Sequence, residues 1–318
     1  MIHLRIVSPP ARTEKVQAVL CCTPSVINVI ELPAAARRPD GDVIMCDVAR
    51  EDASVVISDL KDLGIHEDGS IALELIDTAI SRYADAAERN APGAPADAVV
   101  WEEVEERTSE NVELSGVFML FMVLAALLAA VGIFLDSEIL IVGAMVVGPE
   151  FGPIAGFCVA LVQRRGDLAR RSGIALAVGF PLAITAAFLA SLVFRATGLT
   201  PDEFDATEHA VANLISSPDA FTVIVALCAG AAGMVSLSTA KSGALIGVLI
   251  SVTTIPAAAN VGLAAAYGDW TAWRGSLTQL AINLVAILTA GALVLSVQRW
   301  LYRRRRREHI RTELAPGA

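Results

Sequence analysis

Six apolar stretches divide the last two hundred residues of this 318-residue chain, near residues 116–135, 139–162, 172–194, 220–238, 242–266 and 276–298. Each is long enough to cross about 30 Å of hydrocarbon as a helix, which takes about 20 residues. Only helices and closed barrels satisfy the backbone inside a bilayer, so six helical spans are the expected core. Composition agrees: 55% of residues are hydrophobic. Charge is unevenly shared. Residues 1–115 carry a net −12, whereas residues 116–318 carry +2, so an acidic water-facing part precedes a near-neutral membrane part.

Orientation follows from the loops. The Gln163–Arg171 segment holds Arg164, Arg165, Arg170 and Arg171, Lys241 lies between spans four and five, and Arg303 to Arg307 follows span six. These fall on one side if both termini are cytoplasmic. The other side receives Asp136 and Glu138, the acidic loop 196–219, and the loop 267–275 with Trp270 and Trp273. The start of the chain, from Met1 to Val7, shows no signal peptide. The expected location is therefore a prokaryotic plasma membrane, crossed several times.

The N-terminal part reads as a small α+β domain over residues 1–77. Ile2 to Val7 alternates like a half-buried strand, and Thr13 to Cys22 places Val16, Val19 and Leu20 on one helical face. Val26 to Leu32 and Val43 to Val48 are strands joined through the turn residues Arg37 to Gly41. Val55, Ile57, Leu60 and Leu63 mark a second helix closed by Gly64, and Ile71 to Ile76 is a last strand. The order β-α-β-β-α-β is the ferredoxin-like pattern. Ser8, Pro9 and Pro10, at the end of the first strand, suit either a regulatory ligand site or an ordinary rigid turn. An acidic domain with no basic face argues against nucleic acid as partner. Residues 78–115 read as a linker, rich in Pro and Gly near residues 90–95, followed by a charged helix from Trp101; residues 301–318 read as a basic cytoplasmic tail.

Cys21, Cys22, Cys46, Cys158 and Cys228 lack the spacing of a metal site or disulfide scaffold and read as small apolar fillers. His3, His66, His209 and His309 are scattered, so neither a metal nor another cofactor is expected. No HExxH, GxSxG or Walker sequence is present, which leaves an intramembrane hydrolase or an ATP-driven pump without support and an enzyme unexpected.

The chemistry points to span two, interrupted by Gly148-Pro149-Glu150-Phe151-Gly152-Pro153. Two prolines and two glycines predict a pair of half-helices or a strong kink. Span five carries a comparable segment, Ser251 to Asn260, containing Thr253, Thr254 and Pro256. Each is the middle span of three, which predicts two inverted three-helix halves with a site between the interruptions. Glu150 is the sharpest candidate, a carboxylate within a span suited to carry a proton or bind a cation. The plainer reading leaves it at the interface, in water. Thr253, Thr254, Asn260, Gln279 and Asn283 extend a polar path, or serve singly as interhelical hydrogen bonds. Gly148, Gly152 and Gly156, at four-residue spacing, suit close helix packing, oligomer contact or ion coordination by freed carbonyls.

The membrane residues resemble the bacterial and archaeal DUF389 family. The resemblance rests on Gly132 to Ser137, Val142 to Ile154, the Arg165-Gly166-Asp167-Leu168 stretch and Gly247 to Pro256, within residues 110–300. Glu150 stands where that family usually has an apolar residue, and Ile255-Pro256 where it usually has two prolines. The resemblance implies architecture and brings no activity or site residues. The expected function is movement of a small solute or ion between spans two and five, gated by the N-terminal domain, in a homo-oligomer within the lipid bilayer. The alternative is a non-transporting membrane sensor or scaffold whose N-terminal domain binds a small ligand or partner.

Overall fold

A computed structural model describes the chain apart from residues 77, 92–97, 111, 201–203, 205–208, 239–243 and 313–318, and apart from the side chains of 107, 110, 244–253 and 308–312. It divides into two compact units. The first comprises Met1–Val104, Ser238–Lys241 and Trp300–Ala318; the second comprises Glu105–Leu237 and Ser242–Arg299.

In the first unit the elements run β1 (Ile2–Ser8), α1 (Pro10–Cys22), β2 (Val26–Arg37), β3 (Asp40–Val48), α2 (Arg50–Asp62), α3 (Ile65–Asp68), β4 (Ser70–Leu75) and α4 (Arg82–Asn90), followed by the start of α5 (Trp101–Glu110). The strands form one antiparallel sheet in the order β2-β3-β1-β4. The alternation seen in the sequence is the burial pattern of β1, where Ile2, Leu4 and Ile6 point into the core and Arg5 is exposed. Ile44, Cys46 and Val48 of β3, Val16 and Leu20 of α1, and Val56, Ile57 and Leu60 of α2 complete that core. Each such side chain contributes about 1.5–3 kcal/mol by leaving water. Gly64 stops α2 as expected: its φ of +72° suits glycine, its N–H reaches the Lys61 carbonyl, and its own carbonyl accepts from Arg12 at 2.7 Å.

Three expectations change. β2 does not end at Leu32 but continues through Pro33 to Arg37. As an edge strand it tolerates a proline, and a register shift between Leu32 and Ala36, with Ala34 at φ +51°, absorbs the irregularity. The stretch read as linker contains α4, capped by the Ser81 hydroxyl accepting from Tyr83 N–H at 3.1 Å. The compact unit therefore runs past residue 77. The apolar-filler reading fits Cys46 and Cys158, which are buried, but not the exposed Cys21, Cys22 and Cys228. Burial pushes the Cys46 thiol up to about 12 and keeps it inert.

The basic tail is part of this unit. It is the end of one helix, α13 (Trp270–Thr312), and it lies on the acidic face of α2. Arg305 pairs with Asp52 at 2.9 Å, Arg306 with Asp62 at 2.5 Å, and Tyr302 donates to the Ser54 carbonyl at 3.2 Å.

Glu51, in the first turn of α2, is 7% exposed, and neither carboxylate oxygen has a hydrogen-bond partner among the described residues. Burial raises its pKa, with the Glu88 and Asp52 charges adding to the shift and Arg305 opposing it. A raised carboxyl pKa means that folding favours the neutral acid. This contribution is complete below the unfolded value of about 4.3 and is lost as pH rises through the folded value. Thermal unfolding of the first unit, followed by hydrogen exchange in α2, should show stability declining over that window. Glu51→Gln should flatten the decline; an identical slope in the variant would remove Glu51 as its source.

The second unit is helical: α6 (Gly116–Phe134), α7 (Glu138–Val147), α8 (Phe151–Gln163), α9 (Gly166–Ala196), α10 (Ala210–Ser216), α11 (Ala220–Ser238), α12 (Ala244–Tyr267) and α13 up to Arg299. Among the described residues four helices, α6, α9, α11 and α13, are long and apolar enough to cross a membrane, or five spans if the bent pair α7–α8 counts as one. Small residues let these helices approach. Ala125, Ala126, Ala129 and Ala130 of α6 meet Ala183 and Ala187 of α9 and Ala257 to Ala259 of α12 in one buried cluster. Gly156 of α8 packs so closely on α9 that a methyl there would lie 2.8 Å from the Ser172 hydroxyl.

Candidate functional site

The interruption in span two is where the sequence places it. α7 stops at Val147, and Gly148 takes extended angles (φ −62°, ψ 124°), the region that a following proline imposes on its predecessor. Glu150 turns the chain, and α8 starts at Phe151 with its axis 55° from that of α7. Pro153 is then accommodated in the first turn of α8, where a missing N–H costs no helical bond. At 1.5 Å per residue, α7 and α8 are about 15 and 20 Å long. Together the bent pair has the length of one broken span or of a re-entrant loop.

Span five is different, and the expectation of a second interruption is corrected. α12 is one helix from Ala244 to Tyr267 with Pro256 inside it. A single proline removes one hydrogen bond, and a packed apolar helix gains more by keeping the others than by opening. In span two the Gly148-Pro149 pair and the glycines beside it leave no such run of good helix formers. α9 likewise continues through Pro181.

Despite that difference, the break and α12 meet. The Thr254 hydroxyl donates to Glu150 Oε1 at 2.9 Å, across 104 positions of sequence. Glu150 is 1% exposed and Thr254 is fully buried. A carboxyl group in such a place, hydrogen-bonded to a hydroxyl, can hold a proton or offer oxygen ligands to a small cation. Two turns further along α12, the Asn260 side-chain amide donates to the Ser276 hydroxyl of α13 at 2.8 Å. Asn260, Ser276 and Asn283 are all fully buried. Asn260 Oδ1 has no hydrogen-bond partner among the described residues.

The structure therefore joins Glu150 to Thr254, and Asn260 to Ser276. Asn283 is buried on α13, and the Thr253 side chain is outside the described residues. Ser276 was not singled out from sequence. The signal was available, because Ser276, Gln279 and Asn283 stand at i, i+3 and i+7 on one face of α13.

Ser8, Pro9 and Pro10 form the turn from β1 into α1. Ser8 is buried against the backbone of Gly41, the Pro9 carbonyl accepts from Arg12 N–H at 2.9 Å, and Pro10 is the first residue of α1. Beside it the Thr13 hydroxyl and the Ala34 N–H hold the Asp42 carboxyl below the usual carboxylate range.

No solved structure matches the chain. An uncharacterized protein of the archaeon Methanocaldococcus jannaschii is 27% identical over 208 residues, which are 64% of this chain and 62% of the archaeal one. The chain thus matches less than two thirds of the length of this curated relative. Residues 145–289 match the family described as Domain of unknown function (DUF389). Those residues begin three positions before the span-two break and end within α13, so the stretch that is similar to the family includes Glu150, Thr254, Asn260, Ser276 and Asn283.

Proposed function

We propose that this protein moves a small solute or ion across a membrane through the site where the span-two break meets α12. The reading takes six spans, with α7–α8 as the second and α12 as the fifth, arranged as two inverted three-helix halves. Each is the middle element of a triplet that contains proline. The N-terminal unit, with its ferredoxin-like order of elements, gates the pathway, and copies of the chain assemble in a prokaryotic plasma membrane with both termini inside. The observation that carries the proposal is the 2.9 Å hydrogen bond from Thr254 to Glu150, a buried polar contact that a purely structural bundle gains little by burying.

Burial of both partners defines an occluded arrangement, which transport must open to each side in turn. The same burial favours a second reading, a non-transporting sensor or scaffold in which the break is sealed by its neighbours. Proteoliposomes loaded with a pH-sensitive dye separate the two. If Glu150 carries the ion, wild-type vesicles acidify faster than protein-free ones under an imposed proton gradient, and Glu150→Gln falls to the protein-free level. Thr254→Ser should retain most of the flux. Equal rates in wild-type and protein-free vesicles, for protons and for potassium or sodium gradients alike, would favour the scaffold.

A further inference from the structure

We propose that Arg164, Arg170 and Arg171 form a site for anionic phospholipid headgroups at the end of the bundle where α8 gives way to α9. It rests on the membrane reading of these helices and not on transport. The arginines of the connecting segment are divided by their surroundings. Arg165 is neutralised by Glu105 and by Asp167 at 3.3 Å. Among the described residues Arg164, Arg170 and Arg171 are exposed and take part in no ion pair.

Arg170 and Arg171 stand directly beyond an exposed apolar strip, and Arg164 beyond an exposed leucine. On α9, Ile174 and Val178 are 43% and 39% exposed, and they follow Arg170 at i+4 and i+8, on the same helical face. Arg171 borders that face, with Ile174 at i+3 from it. On α8, Leu161 is 51% exposed and Arg164 follows three positions later, where a left-handed cap (φ 60°) ends the helix. α13 closes the same end of the unit: Arg299 donates to the Val162 carbonyl at 2.6 Å, and Val297 beside it is half exposed.

An exposed strip of Leu, Ile and Val suits acyl chains and is costly in water. Guanidinium groups at the end of such a strip stand at headgroup height, where they bind phosphate oxygens in a forked geometry. Basic residues at a membrane surface draw anionic lipids in this way. The occupant is therefore a phospholipid with a net negative headgroup, its chains along α8 and α9 and its phosphate on the arginines.

The full-length protein in mild detergent tests this by thermal unfolding and by mass spectrometry of the intact lipid-bound protein, with phosphatidylglycerol, phosphatidylcholine or inorganic phosphate added. Phosphatidylglycerol should raise Tm and remain bound, while the other two should not. R164Q/R170Q/R171Q should weaken retention by about fivefold per arginine removed. R170Q/R171Q serves if the triple variant fails to fold. Three results would each overturn the proposal: unchanged phosphatidylglycerol retention in the variant, equal protection by inorganic phosphate, or loss of retention in R303Q/R304Q/R307Q with none in R164Q/R170Q/R171Q.

Discussion

Any side chain at Gly262 is expected to push α12 off α9, and one larger than a methyl to keep the membrane helices from assembling. α12 crosses α9 so closely there that a Cβ would meet the Ile184 carbonyl oxygen and lie 2.8 Å from the Phe188 backbone nitrogen. Both neighbours are helix backbone, which cannot turn aside as the end of a side chain can. To admit valine, α12 must move away from α9, and the alanine-rich packing of Ala187 and Ala257 to Ala259 opens with it. Overpacking costs about 1–3 kcal/mol where side chains can adjust, and more where backbone must shift. Gly262→Val should therefore leave little monodisperse protein by size-exclusion chromatography in detergent, and Gly262→Ala should fold with a lowered Tm. A Gly262→Val protein as stable as wild type would mean that α9 and α12 do not touch at this point.

Reversing Arg305 and Arg306 should release the tail from α2 completely. In the wild type these side chains meet Asp52 and Asp62, with Asp59 4.0 Å from Arg306. Of the two pairs only Arg306–Asp62 is open to water on its acidic side, where an ion pair is worth about 0–1 kcal/mol, so R306Q alone should loosen the contact only slightly. R305E/R306E instead sets two acids against three, beside the buried Glu51, and like charges so placed cost several kcal/mol. Hydrogen exchange at residues 300–307 should rise towards that of an unprotected segment. Adding D52R/D62R should restore protection. Unchanged exchange in R305E/R306E would show that the tail is held by other contacts, such as Tyr302 against Ser54.

Much of this arrangement is legible in the chain itself, where the controlling interactions are local. Alternation in Ile2 to Val7, the left-handed demand at Gly64 and the Gly148-Pro149 junction all act within a few residues, and all appear where the pattern places them. What escaped depends on distant partners. Pro256 looks like Pro149 in sequence, but α12 is packed against α6, α7 and α9, and that packing keeps it helical. α4 was hidden because the Pro and Gly residues that follow it dominate the composition of residues 77–98. Glu150 was recognisable by its cost within an apolar run, whereas its partner Thr254 was one of several hydroxyl and amide groups with equal claims. Ser276 shows the limit most plainly, since a serine in a membrane helix is unremarkable until Asn260 is found against it.

α13 is a single helix of 43 residues, and its continuity sets the angular phase of everything it carries. Each residue turns the next by about 100°. Arg305 and Arg306 face α2 while Arg303, Arg304 and Arg307 are exposed, because that rotation is counted without interruption from Tyr302. One residue inserted after Tyr302 would advance the count, bringing different arginines of the run to Asp52 and Asp62 without changing composition or charge. The run of five is thus not a reservoir of interchangeable positive charge but a dial with one setting.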